Sequence, residues 1–98
     1  MPVTGSGEDP RVLGLRSAVS RLRRELAVLP AEFPDRSIAE EELAALAAMA
    51  VAGTPEVSRL HRSLLLVAGA IGSVSALARS LAEVRRAVEL FGEAATGR

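Results

Sequence analysis

The chain holds one histidine, His61, set beside Arg59 and Arg62. A metal-ligating imidazole must be neutral, and its neighbours usually supply carboxylates or thiolates. Two arginines do the opposite, so His61 reads as a helix-surface or interface residue. Glu40, Glu41 and Glu42 are the densest run of carboxylates. Consecutive helical residues point in different directions and cannot converge on one cation. Their natural role is to face the positive end of a helix dipole. Arg16, Arg21, Arg23 and Arg24 could contact phosphate, but Glu25 and Glu32 follow closely, and a solvated helix face is the expected reading. Arg85 and Arg86 are diluted by Glu83 and Glu89, and Arg85 and Glu89 are spaced for an i,i+4 pair.

No Ser-His-Asp set, phosphate loop or metal-ligand spacing is present. The Ala68–Gly72 stretch, AGAIG, follows no strand and precedes no lysine, so it is no nucleotide loop. Small helical chorismate mutases are similar to this chain in size and helicity only. They normally use a lysine, and this chain has none. The expectation is a protein that is not an enzyme, with no catalytic residue, no cofactor and no metal.

Composition agrees. The 98 residues suit one domain, long enough for a modest core. Cysteine is absent, which removes disulfides and thiolate zinc sites. The formal net charge is zero, so there is no bulk attraction to nucleic acid or to an anionic membrane. All 12 basic residues are arginine, a pattern that fits the codon bias of a high-GC genome. No charged n-region followed by an apolar h-region opens the chain, so the cytoplasm is the expected compartment.

Residues 1–9 read as a disordered lead-in, 10–93 as a single helical domain and 94–98 as a frayed end. The first helix is expected from Pro10 to Leu29, with Asp9 as N-cap and Pro10 at the first position. Val12, Leu15, Val19, Leu22, Leu26 and Leu29 form an alternating three-and-four seam along it. Pro30 stops it, and residues 30–36 form a proline-stiffened linker whose Phe33 is expected to plug a bundle end. The second helix runs from about Ser37 to Ala52. Ser37 and Glu40 make a capping box, and Gly53 ends the helix. Ala39, Leu43, Leu46 and Ala50 share its apolar face. The third begins with Thr54 as cap and Pro55 and Glu56 in its first turn. Unbroken to Phe91, it would be about 55 Å long.

The segment 63–78 of that helix carries no charge and is apolar or small all round, so it must be covered on more than one side. Its pattern slips once. The steps from Val74 to Leu77 to Leu81 rotate the apolar stripe by roughly 100°. A kink at the Gly69, Gly72, Ser73 cluster accounts for the slip. The fold expected is therefore all-α, an antiparallel bundle of three helices with a long, continuous or kinked third helix. The alternative is a break with Ser73 as a new N-cap, giving a four-helix up-down bundle.

Two short helices cannot seal such a segment, so a homodimer centred on the third helix is expected. Leu64, Val67, Ile71, Val74 and Leu77 are its candidate interface anchors, and Gly69, Gly72 and Ala76 allow close approach of a second backbone. Two rivals remain. One is a membrane-associated hairpin of 43–52 and 63–78, although 63–78 is shorter than the roughly 20 residues that span a bilayer. The other is a regulatory binder of another protein, of antitoxin or anti-sigma-like kind. A nucleic-acid partner is not expected.

PAEFPDR, RSLLLVAGAIGSVSAL and AEVRRAVELFG resemble stretches from small uncharacterised helical proteins of high-GC actinobacteria. The resemblance runs from Pro10 to Gly92. It implies a whole bacterial protein and no known activity, ligand or catalytic residue.

Overall fold

The computed structural model describes residues 9–30, 34–52 and 55–96. The described residues are all-helical, and the helices number four. Helix α1 spans Pro10–Val28, α2 Arg36–Ala52, α3 Val57–Ile71 and α4 Ala78–Thr96. A single 3-10 turn, Ser75–Leu77, leads into α4.

The first helix starts as its sequence dictates. The Asp9 carboxylate accepts from the Arg11 backbone N–H at 2.9 Å, and Pro10 fills the position where no donor is needed. The start of α2 differs from expectation. The helix begins at Arg36, so Ser37 lies inside the first turn and the Ser37–Glu40 capping box does not form. Arg36 acts instead across the linker. Its guanidinium donates to the carbonyls of Leu26 and Leu29, closing the C-terminal end of α1. Glu56 holds the N-cap position of α3, so Pro55 and Glu56 precede the helix rather than forming its first turn. The roles expected of Phe33, Gly53 and Thr54, and of the lead-in before Asp9, lie outside the described residues.

The long third helix does not exist as one element. It breaks after Ile71. The Gly72 N–H closes α3 on the Ala68 carbonyl at 2.8 Å, and the Val74 N–H turns back to Ile71 at 3.0 Å. Val74, extended at φ −90° and ψ 101°, caps the 3-10 turn, so Ser73 is not the new N-cap. A side chain at Gly72 would run into the Ala68 carbonyl oxygen. The slip in the apolar stripe therefore marks a reversal of the chain, and α4 folds back along α3.

Contacts between named residues fix the directions. Arg11 lies over the Phe91 ring at 5.0 Å, Arg21 meets Glu83, and Ser80 meets Glu25, so α1 and α4 run antiparallel. Leu13 and Val51 line one end of the α1–α2 seam, and Ala27 and Glu40 line the other. Ser63 reaches Glu42 between α2 and α3, and Gly92 of α4 lies against Val57 and His61 of α3. The result is an up-down-up-down bundle with α1 beside both α2 and α4.

Each helix gives this bundle one stripe. Val12, Leu15, Val19, Leu22 and Leu26 come from α1, and Ala39, Leu43, Leu46 and Ala50 from α2. Leu60, Leu64, Val67 and Ile71 come from α3, and Leu77, Leu81, Val84, Val88 and Phe91 from the last turn and α4. The three-and-four spacing on every helix keeps its stripe facing the common axis. Burying each large side chain stabilises the fold by about 1.5–3 kcal/mol.

Candidate functional site

The break redistributes the residues expected to form an interface. Leu64, Val67, Ile71 and Leu77 are buried in the chain's own core, and Val74 is half-buried against it. They seal α3 and α4 within one chain and have no surface left for a second copy. Gly69, Gly72 and Ala76 are exposed. Gly72 serves the turn rather than the approach of another helix. Gly69 keeps an open aspect, with nothing within 4 Å of where a Cβ would stand.

The charged groups sort by helix face. Arg21 points toward α4 and reaches both Glu83 oxygens at 3.2 and 3.3 Å, an exposed pair of small energetic weight. The expected Arg85–Glu89 pair is not made. The three glutamates of α2 diverge as their spacing demands. Glu40 lies 3.8 Å from Arg36, Glu42 accepts from the Ser63 hydroxyl at 2.9 Å, and Glu41 is exposed. His61 is exposed, with Nε2 near Gly92. Among the described residues, no group of three or more His, Asp or Glu side chains could hold a metal ion. Among the described residues, no helix is long and apolar enough to cross a membrane.

Among the described residues, two surfaces stand out, beside a smaller hollow between Gly14, Arg21, Glu83 and Leu90 of α1 and α4. The first is the outer face of α3. Leu65 is 71% exposed and Leu66 44% exposed, with Gly69 one turn later and Arg62 one turn earlier. These four lie at i, i+3, i+4 and i+7, a single helix stripe. It turns away from the stripe that α3 buries.

The second is a groove of about 810 Å³ between α1 and α2. Val19 lies at its base, Leu13 and Val51 at one end, and Ala27 and Ala47 along its walls. Arg16, Arg23 and Arg24 line the α1 side. Arg24 donates to Ser20 Oγ at 2.8 Å. None of the three forms an ion pair with a carboxylate among the described residues. The sequence places these arginines in one run with Arg21. A helical wheel separates them, because Arg21 falls on the opposite flank of the buried stripe.

Among the described residues, these features define a small four-helix up-down bundle with an exposed apolar stripe on α3 and an open groove between α1 and α2. The chain belongs to a family of unknown function, DUF5955, which matches residues 4–92. Neither any curated protein nor any solved structure is significantly similar to it.

Proposed function

We propose that the protein is a non-enzymatic cytoplasmic interaction module that pairs with a second copy of itself through the outer face of α3. The observation that carries this reading is the adjacent exposed pair Leu65 and Leu66 beside the open Gly69. The opposite stripe of the same helix is already spent on the core. Among the described residues nothing covers these successive leucines, and burying each against a partner is worth about 1.5–3 kcal/mol.

An antiparallel two-fold arrangement suits the residues. Each copy contributes the same patch, so Leu65 of one packs by Leu66 and Gly69 of the other. Arg62 of each copy then lies at an opposite end of the seam, where like charges stay apart. The absence of a side chain at Gly69 lets the two helices approach closely.

Light scattering on a size-exclusion column, across a dilution series, tests the reading. The expected result is a dimer that Leu65→Glu converts to a monomer with unchanged helicity. A chain that is monomeric at every concentration overturns it.

A further inference from the structure

We propose that the groove between α1 and α2 docks an acidic amphipathic helix of another protein. The inference rests on reading the chain as an interaction module, but it concerns a face separate from the one proposed for self-pairing.

The shape and the lining argue for a helix. The groove runs between two antiparallel helices, the surface into which a third helix packs. Its α1 wall, from Leu13 to Ala27, extends about 21 Å, or four helical turns, with Ala47 and Val51 of α2 facing it. Ala27 and Ala47 keep its walls low, so a third backbone can come close. Leu13, 46% exposed, and Val51, 69% exposed, offer apolar contact at one end. A partner would answer with apolar residues at i, i+3 or i+4, and i+7.

The charge selects the chemistry of that partner. Arg16, Arg23 and Arg24 stand along one side, unmatched by any carboxylate among the described residues. Arg16 and Arg23 are two helical turns apart and set the spacing for two carboxylates on the incoming helix. Glu40, in the adjoining hollow with Arg23 and Ala27, is engaged by Arg36. A second copy of this chain is a poor occupant. Two-fold pairing through the groove would bring these arginines against their own equivalents, and like charges in register cost affinity. A nucleic acid is disfavoured too. Among the described residues the groove is lined by no aromatic side chain for a base to stack on, and the whole chain is electrically neutral.

The test uses the full chain labelled with 15N and a synthetic helical peptide of about 15 residues. The peptide carries leucines at i, i+4 and i+7, flanked by glutamates, and a sister peptide carries lysines in their place. The expected result is amide shifts concentrated at Leu13, Arg16, Arg23, Ala27, Ala47 and Val51. Binding should weaken at least about tenfold with the lysine peptide, and similarly with the exposed triple variant R16E/R23E/R24E. Added salt should weaken it as well. Equal binding of both peptides, or binding that survives the charge reversal, overturns the proposal. So does a short DNA duplex or inorganic phosphate that shifts the same amides when the peptide does not. The outcomes separate the two readings. A dimer whose groove ignores the peptide removes only this inference, and a monomer that binds it removes only self-pairing.

Discussion

The Ser80 hydroxyl donates to Glu25 Oε1 at 2.6 Å, joining the start of α4 to the last third of α1. Ser80 is buried, and Glu25 is half-buried beside it. The bond exists only because the chain reverses after Ile71. In a continuous helix, residue 80 would lie far from residue 25. Ser63 and Glu42 make the matching contact between α3 and α2. Ser80–Glu25 and Ser63–Glu42 are thus polar ties at the edges of apolar seams, and Arg21–Glu83 adds a further one between α1 and α4; they specify register where leucine stripes alone would tolerate sliding.

Ser80→Ala is expected to destabilise the fold by about 1 kcal/mol, because the buried tie is lost and Glu25 keeps its position without it. Urea unfolding of Ser80→Ala, Glu25→Gln and the double variant measures the coupling. Additive effects would show that the contact carries no interaction energy.

The two glycines of helical α1 and the α3–α4 turn should respond in opposite directions. Gly72→Ala pushes a Cβ into the Ala68 carbonyl oxygen, a backbone atom that cannot swing aside. Its expected cost is about 1–3 kcal/mol. Gly14→Ala meets open space within α1 and should stabilise by about 0.5–1 kcal/mol. Thermal melts of both variants decide the matter. A neutral Gly72→Ala would mean that the turn relaxes freely.

Arg36→Lys tests the closure of α1. Lysine carries one compact ammonium and cannot reproduce the forked donation to Leu26 and Leu29. A loss of about 1 kcal/mol is expected, read from the urea midpoint. A variant as stable as the parent would show that solvent serves these carbonyls equally well.

Acid should loosen the beginning of α1. The Arg11 side chain, and then its backbone N–H, hold the Asp9 carboxyl below its ordinary value of 3.8. A depressed folded-state pKa stabilises the fold above the unfolded value, and that contribution is lost as pH falls through the folded value. The chemical shift of the Arg11 amide, followed down in pH, should therefore show a midpoint below 3.8. A midpoint at or above that value would remove the cap from the account.

Much of the architecture was legible in the residues. The α1 seam, the Asp9 cap and the apolar face of α2 follow from helical periodicity and end chemistry, which act within a few residues. The all-helical class follows from the same patterns. The exposed surface is less legible. One long helix would leave Leu64, Val67, Ile71 and Leu77 uncovered for an interface, but the fold covers them itself. Leu65 and Leu66, one step away on the wheel, take the exposed positions instead.

The sequence by itself determined which face of each helix is apolar, because side-chain direction repeats every 3.6 residues whatever the helix packs against. It also carried the slip at Val74, Leu77 and Leu81. Only the tertiary structure decided that this slip is a reversal. No run of polar turn residues marks the site, and a kinked helix satisfies the local chemistry as well as a broken one. The choice is made by burial at a distance. Folding α4 back places Leu81, Val84, Val88 and Phe91 against α1 and α3, and no local signal contains that gain. The same closure divides the arginines of α1, matching Arg21 with Glu83 and leaving Arg16, Arg23 and Arg24 along an open groove.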